Sequence, residues 1–167
     1  MASTGRSHLG QVMGSVAEEL LRFRTGPFLL IGPACESGEF NVDGRMVVAV
    51  DGSDTGDEIL PIAAEWSTDF GFAPEVVTVV EPKAAGALQE AGSDAGLEST
   101  VPHNRADDLA AITGADPDWE VLHGDDVAET IVSHARDREA SIIALTTHGR
   151  TGIPRLLMGS VAMAVVH

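Results

Sequence analysis

Short apolar runs recur along the chain and are separated by longer stretches that mix apolar and polar residues. The runs that predict β-strands are residues 28–31 (FLLI), 46–50 (MVVAV), 76–80 (VVTVV), 119–122 (WEVL) and 141–146 (SIIALT). Most of them are continuously apolar rather than alternating, which is typical of parallel strands covered by helices on both faces. We expect the tryptophans Trp66 and Trp119 to pack in the core of such a structure.

Between the strands, apolar residues recur every three or four positions, as on one face of a helix. The predicted helices are one after Asp57, a short one over residues 105–113 and one over residues 126–138. Asp126 and Glu129 are spaced as in a capping box, with Asp in place of Ser or Thr. Residues 83–104 are small and polar, and they predict a surface loop, with a weak helical turn as the alternative. Strands that alternate with helices indicate an α/β fold with an open, doubly wound parallel sheet.

One phrase occurs twice in the chain. Residues 5–17 read GRSHLGQVMGSVA and residues 149–162 read GRTGIPRLLMGSVA. A repeat at this separation indicates a duplicated domain. We therefore predict a C-terminal helix and strand of a first repeat (residues 1–33), a linker (residues 34–45) and a second domain that lacks its final strand (residues 46–167). The predicted strand at residues 28–31 then fills that place, either within the chain or in a second copy.

Composition restricts the partners of the chain. Its formal net charge is −16, from 26 acidic and 10 basic residues. Such a surface repels nucleic acid backbones and anionic membranes, so we expect neither nucleic acid nor membrane as a partner. No run approaches the ~18 apolar residues of a membrane span. Cys35 is the single cysteine and the chain starts without a signal-like apolar stretch, which leads us to expect a cytoplasmic protein.

Residues suited to ligand binding follow two of the predicted strands. Asp51 follows residues 46–50, and a glycine-bearing loop follows residues 141–146. In doubly wound sheets, ligands bind beyond the carboxyl ends of the strands. A carboxylate there accepts hydrogen bonds from a ribose hydroxyl or an adenine amine. Gly149 lets the backbone approach a phosphate, and Ser160 offers a hydroxyl at a helix start, where backbone N–H groups favour an anion.

The segments 46–53 (MVVAVDGS) and 147–162 (THGRTGIPRLLMGSVA) together resemble the nucleotide-binding branch of the universal stress protein family. As in the family motif, nine residues separate Gly149 from Gly159 and Ser160. The motif's earlier glycine falls on Thr146, which is a departure. The resemblance assigns the nucleotide site to Ala49, Val50, Asp51, Val79, Leu145, Thr146, Gly149, Arg150, Gly159, Ser160, Val161 and Ala162.

The resemblance also implies a fold and a function. It implies the five-stranded parallel sheet of the adenine nucleotide alpha hydrolase-like fold, with strand order 3-2-1-4-5. It further implies binding of ATP with Mg²⁺, a homodimer or strand-exchanged oligomer, and a role in stress response. The chain has neither a positioned general base nor a P-loop lysine motif, so we do not expect an enzyme.

Several features have plainer alternatives. Residues 51–54 (DGSD) are also typical of an ordinary turn and helix cap. His103, His123 and His134 lack the close spacing of metal ligands, and we interpret them as structural or exposed. A non-nucleotide-binding interaction module of the same fold, which works by dimerising, is the alternative function. Thr146 and the absence of a final strand favour that alternative.

Overall fold

A parallel sheet organises the part of the chain that the structure describes. The computed structural model describes residues 26–31, 44–81, 96–147 and 159–166. Within these residues the sheet has four strands in the order β3-β2-β1-β4, and every neighbouring pair is parallel. The strands are β1 (Arg45–Ala49), β2 (Ala73–Val80), β3 (Asp118–His123) and β4 (Ile142–Ala144). Each apolar run within residues 44–147 thus overlaps a strand, as the sequence predicts.

Helices connect the strands and cover the sheet. They are α1 (Asp54–Asp57), α2 (Ile59–Phe70), α3 (Gly96–Thr113), α4 (Val127–Asp137) and α5 (Ser160–Val166). The predicted cap of α4 is confirmed, because the Asp126 carboxylate accepts a hydrogen bond from the backbone N–H of Glu129 at 3.0 Å. None of the helices in the described ranges has both the length and the apolar composition needed to cross a membrane.

The sheet separates two apolar cores. Successive side chains of a strand point to opposite faces, so β1 contributes to both cores. Met46 and Val48 pack under α2 and α3, whereas Val47 packs under α4. All three side chains are fully buried. The helices therefore lie on both faces of the sheet, as in a doubly wound fold.

Helix α3 is longer than the sequence predicts. Residues 83–104 were expected to form a loop, but residues 96–104 belong to this helix. Pro102 lies inside this helix. Because a proline normally breaks a helix, its presence in the sequence argues against helix at residues 96–104. Tertiary packing compensates for the proline, because Pro102, Ala106 and Leu109 are all buried. Residues 82–95 lie outside the described residues.

Two further expectations differ from the structure. Residues 28–31 form no strand and belong to no sheet. Phe28, Leu29 and Ile31 are instead 40%, 53% and 76% exposed, because no strand among the described residues accepts their backbone groups. Completion of the sheet by this segment within one chain is therefore wrong. The five-stranded sheet and the tandem arrangement remain predictions, and the repeat at residues 5–17 lies outside the described residues.

Trp119 is also not a core residue. It is 41% exposed, because it lies on β3 at the edge of the sheet. Its indole contacts the imidazole of His103 on α3, with 5.1 Å between the ring centroids. Trp66, in contrast, is partly buried against the core under α2 and α3, close to its predicted position.

Candidate functional site

The predicted site residues that the structure describes lie at the carboxyl ends of three adjacent strands and at the start of α5. β1 pairs with β2 through Ala49 and Val77, and with β4 through Val48 and Ala144. If both registers are continued past the strand ends, Asp51 comes level with Val79 and with Thr147. Since β1 lies between β2 and β4, Asp51, just beyond the end of β1, lies beside the ends of both β2 and β4. This edge is where doubly wound sheets bind ligands.

The backbone that leads to Asp51 is fixed to β2. The N–H of Val50 donates to the carbonyl of Val77 at 3.0 Å, one residue beyond the end of β1. The buried hydroxyl of Thr78 donates to the carbonyl of Val50 at 3.1 Å. The Val50 side chain is itself buried in the core under α2 and α3. The N–H of Val50 is therefore committed to β2 and its side chain to the core, and its carbonyl has one lone pair left beyond the bond from Thr78.

The Asp51 carboxylate forms a turn with Ser53. Its Oδ1 accepts hydrogen bonds from the Ser53 backbone N–H at 3.0 Å and from the Ser53 hydroxyl at 2.6 Å. Gly52 between them has φ 75°, a left-handed conformation that glycine adopts without steric cost. The Ser53 hydroxyl also accepts a hydrogen bond from the N–H of Gly56 at 3.0 Å and so caps α1. The interpretation of residues 51–54 as a turn and helix cap is thus confirmed. The capping residue Ser53 also donates a hydrogen bond to Asp51, the carboxylate that we predict to bind the ligand.

Two contacts restrict this turn further. A Cβ atom on Gly56 would lie 2.3 Å from Oδ1 of Asp51, so only glycine fits beside the carboxylate as it stands. Asp57 accepts a hydrogen bond from Nε of Arg105 on α3 at 2.7 Å and contacts a second guanidinium nitrogen. The hydrogen bond to Asp57 raises the pKa of Arg105 above its ordinary value, against the opposing effect of burial. Helix α3 thereby holds α1 against the sheet.

Three predicted site residues share an apolar cluster. Ala49, Val79 and Val161 are partly buried and pack against the core under α4. They come from β1, β2 and α5, so the fold brings together side chains that are far apart in sequence. Ala162 is 3% exposed and anchors α5, whereas Ser160 at the start of α5 is exposed. Leu145 and Thr146 follow β4 and are half-buried.

The glycine-bearing loop is described at its two ends. The N–H of Gly159 donates to the carbonyl of Thr147, which joins the residue after the end of β4 to the start of α5. The carbonyl of Gly159 accepts from Met163 at 2.9 Å and continues into the helix. Gly149 and Arg150 lie outside the described residues, so their assignment to the site remains a prediction.

A charged cluster that sequence reasoning missed lies at the opposite end of the sheet. Glu75 on β2 is 1% exposed, although it carries a carboxylate. Its Oε2 lies 3.2 Å from a guanidinium nitrogen of Arg45, and its Oε1 lies 3.2 Å from Nε2 of His134 and 3.3 Å from a nitrogen of Arg138. Buried carboxylates need such partners. The signal in the sequence was a single acidic residue directly before an apolar run.

Further carboxylates extend this cluster. Arg45 also contacts Asp118 at 2.9 Å, and Arg138 contacts Glu120. The hydrogen bond to Asp118 raises the pKa of Arg45 above its ordinary value. Oxygen and nitrogen atoms of Glu75, Glu120 and His134 lie within 4.8 Å of one another, which is compatible with a metal ion. The two arginines already supply the positive charge that a metal would bring, so the cluster is a structural ion-pair network.

A concavity with a volume of ≈ 540 Å³ lies between the end of β3 and α4. It is lined by Leu122, His123, Asp125, Asp126, Glu129, Thr130, Ser133, His134 and Asp137. Four of these residues are carboxylates, which repel a phosphate group. The charge of this surface therefore argues against a nucleotide site there.

Comparison with known proteins gives the family. The universal stress protein family matches residues 44–167. A universal stress protein of Methanocaldococcus jannaschii is 26% identical over 145 residues, which cover 83% of this chain and 84% of that protein. The structure of the universal stress protein UspA from Lactobacillus plantarum is similar, with a TM-score of 0.61 and 21% identity over 74% of this chain and 90% of that chain.

A second similar structure is a universal stress protein in complex with cAMP. Its TM-score is 0.53, at 19% identity over 73% of this chain and 86% of that chain. At such identities the structural matches show a shared α/β fold with a parallel sheet.

Proposed function

The chain belongs to the universal stress protein family, and from this premise we propose that it binds an adenine nucleotide, ATP with Mg²⁺, at the carboxyl end of the sheet. The observation that carries the proposal is the position of Asp51. Its carboxylate is held by Ser53 at the end of β1, level with Val79 on the neighbouring strand. A carboxylate in this place can accept hydrogen bonds from a ribose hydroxyl or an adenine amine.

The surroundings of Asp51 suit the other parts of a nucleotide. Ala49, Val79 and Val161 offer partly buried apolar surface of the kind that a base packs against. Ser160 is exposed at the start of α5, where its hydroxyl can donate to a phosphate oxygen. We assign Gly149 and Arg150 to the same phosphate on the basis of the sequence motif. Bound Mg²⁺ offsets the repulsion between the triphosphate and a chain of net charge −16.

The chemical class of the ligand has a second support. A structurally similar universal stress protein was solved in complex with cAMP, which contains adenine and ribose. In our proposal, Asp51 and the apolar cluster bind the adenine and the ribose, and the glycine-bearing loop binds the phosphates. We therefore expect the chain to prefer adenine over guanine.

We further propose that nucleotide binding is regulatory, in a cytoplasmic stress-response protein that does not turn its ligand over. The sequence has one lysine, Lys83, and no P-loop motif to stabilise a departing phosphate. We expect phosphate release from Mg-ATP at the rate of the buffer blank. A release that scales with protein concentration and disappears in Asp51→Ala would contradict this part of the proposal.

A thermal melt of the chain tests nucleotide binding. Ligand at ~100 times its dissociation constant adds ~2.7 kcal/mol to the free energy of unfolding. We expect Mg-ATP to raise the melting temperature, Mg-GTP to raise it less, and Asp51→Ala to abolish the difference. An Asp51→Ala variant that responds to Mg-ATP as the unchanged chain does would remove Asp51 from the site.

An interaction module that dimerises is the second candidate function. Its support is the combination of an edge strand and an exposed apolar segment: β4 ends the described sheet, and residues 28–31 are largely exposed. An uncovered sheet edge is a template for pairing with another chain. The mass in solution tests this candidate, and Leu29→Asp together with Ile31→Asp should convert a dimer into a monomer. A monomeric unchanged chain would contradict it.

A further inference from the structure

We propose that Ser53 and Gly56 are positioning residues for the nucleotide, which act through the carboxylate of Asp51. Ser53 orients this carboxylate, and Gly56 leaves the space in which it stands. The inference rests on the proposed function, because it requires that Asp51 contacts the nucleotide. Neither Ser53 nor Gly56 belongs to the set of residues that the sequence assigns to the site.

The orientation of Asp51 follows from two hydrogen bonds to the same oxygen. Oδ1 accepts from the Ser53 N–H at 3.0 Å and from the Ser53 hydroxyl at 2.6 Å. Hydrogen bonds to an ionised acceptor are stronger than those between neutral groups. Two of them on one oxygen fix the rotation of a side chain that otherwise turns about two bonds. The carboxylate thus reaches the ligand already oriented, which lowers the entropic cost of binding.

The bonding of the Ser53 hydroxyl assigns its single hydrogen. A hydroxyl has one donor hydrogen and two acceptor lone pairs. Because the N–H of Gly56 is a donor, the hydroxyl oxygen accepts from it at 3.0 Å. Its hydrogen is then committed to Asp51, whose oxygen lies 2.6 Å away. Ser53 therefore acts on a ligand through Asp51 and not by donating to it directly.

Gly56 explains why the carboxylate can occupy this position. A Cβ atom at residue 56 would lie 2.3 Å from Oδ1 of Asp51 and 3.2 Å from the Ser53 hydroxyl oxygen. A methyl group there forces the carboxylate to rotate away, which breaks its bonds to Ser53. Glycine is otherwise unfavourable inside a helix, and Gly56 is a buried residue of α1. We infer that the site, rather than the helix, requires glycine here.

Mg-ATP affinity of full-length variants, measured by isothermal titration calorimetry, tests the proposal. We expect Asp51→Ala to weaken binding about tenfold or more, and Ser53→Ala about three- to tenfold. Ser53→Thr keeps the hydroxyl and should restore the affinity. Asp126→Ala is the matched control, since it removes the cap of α4 without touching Asp51. It should bind Mg-ATP as the unchanged chain does.

Combined variants test whether the effect passes through Asp51. In the Asp51→Ala background, neither Ser53→Ala nor Gly56→Ala should weaken binding further, because the carboxylate on which they act is gone. In the unchanged background, Gly56→Ala should weaken binding as much as Asp51→Ala does, although alanine favours the helix. Melting temperatures without ligand verify that each variant folds.

The possible failures are distinguishable. If Asp51→Ala weakens binding but Ser53→Ala and Gly56→Ala bind normally, the positioning roles are overturned and the proposed function stands. Equal losses with and without Asp51 would show that these residues act independently of it, which also overturns the inference. If Asp51→Ala binds Mg-ATP normally, or if no variant binds it, the proposed function falls and the positioning roles fall with it.

Discussion

The two ends of the parallel sheet both carry a fixed carboxylate, but the groups that fix it differ. At the amino end, Glu75 is 1% exposed and contacts two arginines and a histidine. At the carboxyl end, Asp51 is held by the hydroxyl and the backbone N–H of Ser53. The first carboxylate meets positive charge from a neighbouring strand and from α4. The second accepts two hydrogen bonds from Ser53 in its own turn.

This difference separates a structural role from a ligand-binding role. Arginine partners neutralise Glu75 and commit its oxygens to the fold, as burial of a charge requires. The donors that Ser53 supplies orient Asp51 without adding a positive charge. A hydroxyl and a backbone N–H can orient a carboxylate without cancelling its charge, and such a charge attracts hydroxyl and amine donors. We therefore expect substitutions of Glu75 to lower stability more than nucleotide affinity, and substitutions of Asp51 to lower nucleotide affinity more than stability.

Removal of Glu75 should have the largest effect on stability. Glu75→Ala removes the buried acceptor that Arg45, Arg138 and His134 share, and a hydrogen bond to a charged group contributes about 1.5–3 kcal/mol. We expect that decrease in the free energy of unfolding, measured by urea denaturation, with unchanged Mg-ATP affinity in the folded fraction. Glu120→Ala is the control, because Glu120 is partly exposed and should cost about 1 kcal/mol or less. Equal costs for both variants would contradict the structural role of Glu75.

Removal of the Thr78 hydroxyl tests how the carboxyl end of β1 is fixed to β2. Thr78→Val keeps the shape of the side chain but leaves the buried carbonyl of Val50 without the donor at 3.1 Å. We expect a loss of about 1–3 kcal/mol in the free energy of unfolding. Thr68→Val is the control, since that hydroxyl is bonded to a helical carbonyl at an exposed position and should cost less. A Thr78→Val variant as stable as the unchanged chain would show that the Thr78 hydroxyl contributes nothing to fixing this end of β1.

Removal of the α4 cap should have a smaller effect. Asp126→Ala eliminates the carboxylate that accepts from the Glu129 N–H at 3.0 Å. Loss of such a cap costs about 1 kcal/mol. Urea denaturation should show this decrease, and Asp126→Asn should retain most of the stability. No difference between the alanine and asparagine variants would exclude a capping role.

The pair of Arg105 and Asp57 should contribute least. Arg105→Lys loses the two-nitrogen contact that only a guanidinium can make, but both side chains are partly exposed. We expect a decrease of about 1 kcal/mol or less in urea denaturation. Since folding raises the pKa of Arg105, its contribution is fully present at neutral pH and is lost only as strongly alkaline pH deprotonates the folded chain. A loss of stability in Arg105→Lys that varied between pH 6 and pH 9 would contradict this assignment.

Much of the fold was predictable because its strands are buried on both faces. Continuous apolar runs such as residues 46–50 can be recognised without knowing which strand pairs with them, and four of the predicted runs overlap the four described strands. Residues 28–31 are also continuously apolar but form no strand. A strand exists only where a neighbour accepts its backbone groups, and composition does not reveal the neighbour. The helical start of α3 was missed for the related reason that Pro102 is stabilised by packing and not by local sequence.

The sequence by itself determined the alternation of strands and helices, the cap at Asp126, and the placement of Asp51 at a strand end. These features depend on residues that are neighbours in the chain, so local composition and spacing encode them. Only the tertiary structure revealed the burial of Glu75, because its partners Arg45, His134 and Arg138 come from elements distant in sequence. The space that Gly56 leaves for Asp51 depends on the angle of a turn, which residue identities do not specify. Contacts of this kind exist only after the chain has folded, and they distinguish the carboxylate that supports the fold from the one we assign to the ligand.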